Sequence, residues 1–501
     1  SFRIIHFALW CAGNYHNTVG RLDQYLLPYY EADLKAGRLS KEQAFDLLEE
    51  FFLSFNRDSD LYTGMQQGDN GQSLVLGGVD ENGEDSFNDL SELCLLASLE
   101  LGLIDPKINL RVHKGTDLKA YVLGTQLTKR GLGFPQYSND DVVIPGLIEK
   151  GYDKNDACNY VTAACWEWII PGCGMDIPNI GAVSFAKLVR DIVMQELATC
   201  QTFDSLLEKF RVAVTVEVER IAGTHKNLYM EPAPYLSILM NGCMENARDV
   251  SYGAKYNNYG LHGTGISTAV DALAAVKKYV FEEQCISPER LLAAMENDFA
   301  GDETLSSLLR MEAPKFGRDP EASKLAIRLI DMFADAVKPL RNERGGSYRA
   351  GTGSAMYYLW HAASLGATPD GRHAGEALAA NFSPSLFVRG GGPISVIRSF
   401  ALPNLHRVAN GGPLTLELHD TVFHNEESIE KVAGLVKAYI DLGGHQLQLN
   451  AVNREAMMEA QKNPEDYRNM IVRVWGWSGY FIELDREYQE QILSRIEYMV
   501  E

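Results

Sequence analysis

The sequence predicts an α/β fold, on three observations. Lys107-Ile-Asn-Leu-Arg-Val-His113 alternates strictly between polar and apolar residues and reads as a strand. A segment of helical character, 118–128, follows it, and Phe134-Pro-Gln-Tyr137 comes next, so extended and helical segments alternate as they do when helices cover a sheet. Finally, 501 residues with 46% hydrophobic content can bury a large core, and no linker-like or low-complexity block interrupts them.

Taken in order, 17–36 reads as a helix with Leu22, Tyr25, Leu26, Tyr29 and Tyr30 at helical spacing, a kink at Pro28 and a stop at Gly37. Ser40-Lys-Glu-Gln43 is a capping box for a second helix, whose stripe of Ala44, Leu47, Leu48, Phe51 and Phe52 is core packing. Gly68-Asp-Asn-Gly-Gln-Ser-Leu-Val-Leu-Gly-Gly78 is a loop leading into a short strand, and 87–103 a helix. Beyond Tyr137, a helix over 156–164 is expected to deliver Ala164-Cys165-Trp-Glu-Trp168, with Pro171-Gly-Cys-Gly174 as a loop. A long helical region covers 185–221. Asn257-Asn-Tyr-Gly-Leu-His-Gly-Thr-Gly265 reads as a glycine loop opening a helix through Ala272, Leu273, Val276 and Tyr279. Helices are expected over 319–340, 356–364, 427–441, 454–461 and 485–492, with Gly443-Gly-His-Gln-Leu-Gln-Leu-Asn450 as a strand.

A net charge of −21, without any basic block, argues against a nucleic-acid surface. The longest apolar run, 93–104, is broken by Glu100 and too short to span a bilayer. Eight scattered cysteines and no signal-peptide pattern point to reduced thiols and the cytoplasm.

Near the end lies Ile471-Val-Arg-Val-Trp-Gly-Trp-Ser-Gly-Tyr-Phe-Ile-Glu-Leu484, two β-rich runs around Gly476, with Gly476 and Gly479 supplying turn-capable backbone. Two tryptophans beside a glycine have large apolar surfaces to bury, so the loop is expected to be driven into a core. The run Arg473-Val-Trp-Gly476-Trp477, with Ser478 and the helix after it, resembles the radical-bearing segment of the glycyl radical enzymes, the pyruvate formate-lyase family. Gly20-Arg-Leu-Asp-Gln-Tyr25 and Gly366-Ala-Thr-Pro-Asp-Gly-Arg-His-Ala-Gly-Glu376, with Asn381-Phe-Ser-Pro384, resemble further family segments, so the resemblance covers most of the chain.

The resemblance implies a glycyl-radical-enzyme barrel, two five-stranded half-sheets surrounded by helices and enclosing two opposed loops. It also implies a pyruvate formate-lyase-type domain over 1–365 and a glycine radical domain over 366–501. Family members are longer at the N-terminal end, and Phe2-Arg-Ile-Ile reads as the middle of a fold, so a fragment with an incomplete barrel is expected. A radical-SAM activating enzyme, with its S-adenosylmethionine and iron-sulfur cluster, would remove a Cα hydrogen from Gly476. Only glycine suits this chemistry, because its Cα radical becomes planar and delocalises into both adjoining amides. A homodimer is also implied.

A stored radical needs a relay to substrate, and a cysteine thiol has an S–H bond close in strength to the glycine Cα–H bond. Cys165 stands at the position resembling the family's thiyl residue, whereas Cys11, Cys94, Cys200, Cys243 and Cys285 are expected to be small buried hydrophobes. Glu167 follows two residues later, an offset that in extended backbone places both side chains on one face. Cys-x-Glu resembles the dehydratase, C–N and C–S lyase, and decarboxylase branches, in which the Glu acts as a base on a substrate hydroxyl; the plainer alternative is a structural ion pair. Pyruvate formate-lyase itself carries two adjacent cysteines, and Ala164 here disfavours formate C-acetyltransferase-like activity. Trp166 and Trp168 depart from those branches; they wall a site for an aryl or apolar small-molecule substrate, or face the core.

His262 is a candidate donor to substrate or a local hydrogen-bonding residue. Arg344 and Arg349 hold a carboxylate or sulfonate, or brace their loop. Cys158, Cys165 and Cys173 lack zinc spacing, and the glycine pairs lack a dinucleotide fingerprint or P-loop, so no bound metal or nucleotide is expected. The expected activity is that of a glycyl radical lyase. Its rivals are an enzyme using Cys165 as a nucleophile activated by His262, and a non-catalytic fragment.

Overall fold

The computed structural model describes residues 18–56, 60–62, 66–67, 71–495 and 497–498. The opening segment with Cys11, the first residue of the 17–36 helix and the start of the Gly68 loop lie outside the described residues. The chain forms two compact units, one of Ser1–Gly174, Pro232–Lys255 and Thr415–Glu501, the other of Met175–Glu231 and Tyr256–Leu414.

The first unit is built on a seven-stranded sheet in the order Thr18–Gly20, Ser73–Gly77, Lys107–Val112, Gln136–Asn139, Gln446–Val452, Leu414–His419, Glu497–Tyr498. The first four strands run parallel, with the helices Asp89–Leu101 and Leu118–Lys129 as crossovers between the later ones, and Gln446–Val452 pairs antiparallel with Gln136–Asn139. The expected α/β class is therefore present. One sheet face is apolar: Leu110, Tyr137 and Leu447 share it by register, and Tyr137 stacks on Tyr121 of the helix Leu118–Lys129 at 6.3 Å. Gly124 makes that approach possible, since a Cβ there would fall 2.4 Å from the Tyr137 hydroxyl.

The other face is polar, and it is buried too. Ser73 pairs with Lys107, Asn109 with Gln136 and that with Gln448, Arg111 with Ser138 and that with Gln446. All of these side chains are buried. They bond to one another, with Gln136 Nε2 donating to Asn109 Oδ1 at 3.4 Å and Gln446 Nε2 to Ser138 Oγ at 3.3 Å. An antiparallel sheet with one wet face would turn such residues to water; here they turn toward two hairpins.

The second unit carries three parallel strands in the order Tyr348–Gly351, Tyr259–Thr264, Ile177–Ser184. Around them pack the helices Phe185–Glu196, Phe203–Thr224, Ile266–Val276 and Pro320–Val337. Arg372, in the Gly366–Glu376 run, is buried and donates to the carbonyls of Gly366 and Glu376, both at 2.9 Å, and to those of Ala362 and Leu365. It thus satisfies carbonyls left open where the helix Tyr357–Ala363 ends.

Several expected elements differ. The 17–36 helix is two helices, Leu22–Tyr25 and Leu27–Lys35, and Pro28 sits in the first turn of the second, where its missing N–H costs nothing. Leu47 is 42% exposed and falls off the core stripe. The 185–221 region breaks before Thr202, whose hydroxyl caps the second helix. The 257–265 run is mostly a strand, because its glycines let other side chains close in: a Cβ on Gly260 would meet the Asn410 amide at 2.3 Å.

Candidate active site

Ile471–Arg473 and Ser478–Tyr480 pair antiparallel in a two-stranded sheet of their own, and the Val474 N–H donates to the Trp477 carbonyl at 2.9 Å. The loop so formed is buried, as its tryptophans require. Trp475 and Trp477 meet edge to face at 5.3 Å, and Trp475 packs on Tyr488. The reason for glycine is not the expected turn-capable backbone, since Gly476 lies outside the left-handed region. Space decides it: a Cβ on Gly476 would lie 2.2 Å from the Cys165 Cβ and 2.6 Å from Cε3 and Cζ3 of Trp166.

The cysteine arrives on a second hairpin, not from a helix. The helix there is short, Lys154–Cys158, and is followed by paired strands Val161–Ala163 and Glu167–Ile169. Pairing of Ala163 with Glu167 leaves Ala164, Cys165 and Trp166 as a tight turn, and Ala164 takes φ 52°, strained for a residue with a Cβ. Cys165 is therefore at a turn, and its relation to Glu167 is not that of two side chains on one extended face. Instead the Glu167 carboxylate folds back beneath the turn, where Oε2 accepts from the N–H of Cys165 at 3.1 Å and of Trp166 at 3.0 Å. Charge-assisted bonds of this kind fix the turn that carries the thiol.

Trp166 is fully buried with its ring against Gly476, and its carbonyl accepts from Gln446 Nε2 at 2.7 Å. Trp168 is buried against Tyr160 and His445, and its Nε1 donates to Ser138 Oγ at 3.4 Å, so this ring faces the sheet. Desolvation pushes His445 down to about 3, leaving a neutral imidazole. The polar sheet face holds both hairpins: Ser73 Oγ donates to the Ala164 carbonyl at 3.4 Å, and Arg473 Nε to Gln448 Oε1 at 3.0 Å. Ser478 Oγ adds a bond to the Leu132 carbonyl at 2.6 Å. The arrangement puts a glycine Cα beside a half-buried cysteine, with indole rings around them.

The structure thus brings together Gly476, Cys165, Glu167 and Trp166. His262 and Arg344 belong to the second unit. His262 is buried in the strand Tyr259–Thr264, and a Cβ on Gly351 would stand 3.1 Å from its Nδ1. Arg344 donates to Asn257 Oδ1 at 2.8 Å, and Arg349 pairs with Asp176 at 3.4 Å with both side chains sealed from solvent. Cys94 and Cys243 are buried and burial pushes both thiols up, whereas Cys285 is exposed and Cys200 half-buried, contrary to expectation. Sequence reasoning missed Gln446, Gln448 and Arg495 as partners of the two hairpins; their only signal was the polar half of an alternating strand and an arginine after the last helix.

Residues 1–360 match the family model described as pyruvate formate lyase-like, and residues 378–482 the model described as glycine radical. Trans-4-hydroxy-L-proline dehydratase of Clostridioides difficile is 29% identical over 96% of this chain and 64% of its own. Probable dehydratase YbiW of Escherichia coli (strain K12) is 30% identical over 99% and 67%. The glycerol-bound B12-independent glycerol dehydratase of Clostridium butyricum superposes with a TM-score of 0.90 at 28% identity, over 97% of this chain and 64% of that one. The chain therefore spans about two thirds of the length of the relatives it matches. With both models matched and Gly476 set against Cys165, this chain belongs to the pyruvate formate lyase-like family, with a glycine radical domain.

Proposed function

We propose that this chain carries the radical machinery of a glycyl radical lyase acting on a small hydroxylated molecule. The approach of Gly476 to Cys165 is the observation that carries the reading. An activating enzyme of the radical-SAM class, itself the holder of S-adenosylmethionine and an iron-sulfur cluster, removes one Gly476 Cα hydrogen. The Gly476 radical takes hydrogen from the Cys165 thiol, and the thiyl takes hydrogen from a substrate carbon. Glu167 accepts the proton of the hydroxyl on that carbon while the neighbouring C–O bond breaks. The departing hydroxide ends as water with that proton, and Cys165 returns its hydrogen atom to the product radical.

Trp166 acts as a wall of the radical site, and the orientation of Trp168 toward the sheet weakens the case for an aryl substrate. The dehydratase names of the relatives favour water as the group lost. Ala164 in place of a second cysteine disfavours formate production.

The test is anaerobic EPR after incubation with an activating enzyme and S-adenosylmethionine. A doublet in the wild type and in Cys165→Ser, absent in Gly476→Ala, with dehydration lost in Cys165→Ser, is expected. Activity in air that alkylation abolishes, without any doublet, would instead establish the nucleophile reading.

A further inference from the structure

The hairpin bearing Gly476 is not part of the seven-stranded sheet; among the described residues its two strands pair with each other alone. Side chains therefore do much of the work of seating it, and Arg495 makes two bonds to its main chain. Its buried guanidinium donates from Nη1 to the Arg473 carbonyl at 2.8 Å and from Nη2 to the Val474 carbonyl, the two residues that lead into the loop. Nη1 also reaches Glu417 Oε1 at 2.9 Å, and Nε reaches Gln491 Oε1 at 3.1 Å. Glu417 is equally buried, stands on the strand Leu414–His419, and is held in turn by Asn450. A planar fork with several donors satisfies two carbonyls and a carboxylate at once; a lysine ammonium cannot match that geometry.

We propose that Arg495 is a positioning residue for the radical relay: a latch that, anchored on Glu417, ties the glycine hairpin to the sheet and sets how long Gly476 dwells against Cys165. The latch grips main-chain carbonyls, so it constrains where the loop lies without touching the reacting atoms. While the hairpin is seated, Cys165 and Trp166 occlude the Gly476 Cα, so an enzyme that modifies this residue acts on the unseated hairpin. Loosening the latch thus has two effects of opposite sign, faster radical installation and slower turnover per radical. Only these kinetic effects rest on the proposed function; the latch itself does not.

The test uses the full chain with Arg495→Lys and, separately, Glu417→Gln. Hydrogen exchange followed by mass spectrometry should show residues 471–480 exchanging about tenfold faster or more in Arg495→Lys, as befits the loss of one charge-assisted bond. Glu417→Gln should show a smaller acceleration of the same peptide, and the strand Lys107–Val112 none in either variant. With the activating enzyme, Arg495→Lys should gain spin faster while losing turnover per spin. Unchanged exchange at 471–480 in both variants, or acceleration spread evenly over the first unit, overturns the latch. A local acceleration with no wild-type radical would leave the latch standing and sink the functional reading; a radical with unmoved exchange does the reverse.

Discussion

Replacing Gly476 with alanine measures how closely the two hairpins approach. The new methyl would sit 2.2 Å from the Cys165 Cβ and 2.6 Å from two Trp166 ring carbons, where carbon pairs rest at about 3.5–4.0 Å. A rotamer change cannot relieve this, because the Cys165 Cβ moves only with its backbone and the Trp166 main chain is tied to Gln446 at 2.7 Å. The glycine hairpin has to retreat, giving up bonds such as Ser478 to Leu132 and Arg473 to Gln448. Overpacking of this kind costs about 1–3 kcal/mol and each lost bond roughly 1 kcal/mol more, for a total near 3–5 kcal/mol. At an open turn the same change would be neutral or stabilise by about 0.4–1 kcal/mol. Urea denaturation followed by circular dichroism reads the difference. Cys165→Gly in the Gly476→Ala background removes the nearest atom and should restore roughly 1–2 kcal/mol through coupling. A loss below about 0.5 kcal/mol for Gly476→Ala alone, or strict additivity in the double variant, refutes the close approach.

Two further predictions concern buried charge. Asp140 accepts from Arg111 at 2.9 and 2.7 Å, from the Tyr160 hydroxyl at 2.7 Å and from the Val79 N–H at 2.7 Å. Asp140→Asn should therefore lower stability by about 3–5 kcal/mol, and Asp140→Leu with Arg111→Met should recover most of it; a shift in urea midpoint too small to resolve would show that the pair is not sealed. Asp271 accepts from the Phe316 N–H and the Ser385 hydroxyl, both at 2.7 Å, and burial raises it to about 7 against the opposing charge of Lys315. The unfolded carboxyl gives up its proton near pH 4, so this contribution to stability is full below pH 4 and is lost as pH rises through 7. Stability of Asp271→Asn relative to wild type should thus rise by roughly 2–4 kcal/mol from pH 4 to 7.5; parallel stability curves would contradict it.

Residues near in sequence were the legible ones. The Ser40 capping box forms as written, and the strand at Lys107 and the helix after it stand where alternation and spacing put them. Gly476 and Cys165 were found by resemblance, and the structure supplies a steric reason that no local pattern contains, because the atoms in the way of a Gly476 side chain lie some three hundred residues upstream. Glu167 lies on the same hairpin as Cys165, but not by the expected geometry, because the alternation of an extended strand does not carry across the turn at Ala164. The polar half of Lys107–Val112 and of Gln446–Val452 was invisible as interior, since a period of two reports only that two faces differ, not that both are covered. Arg344 and Arg349 stood out as charges, and their partners Asn257 and Asp176 come from distant segments that single-sequence reasoning cannot pair.

The seating of the glycine hairpin also bears on the order in which the molecule is assembled. Ser478 bonds to Leu132 across 346 residues, and Arg473 to Gln448 on a strand that itself pairs with Gln136–Asn139. Contacts of such long span form only after the intervening chain has been gathered, so they belong to the late stages of folding. The cradle of Cys165, Trp166 and the sheet's polar row has to exist before the loop has anywhere to go. With the hairpin unseated, that row and its amides would lie uncovered, an unfinished surface of the kind through which incompletely folded chains associate.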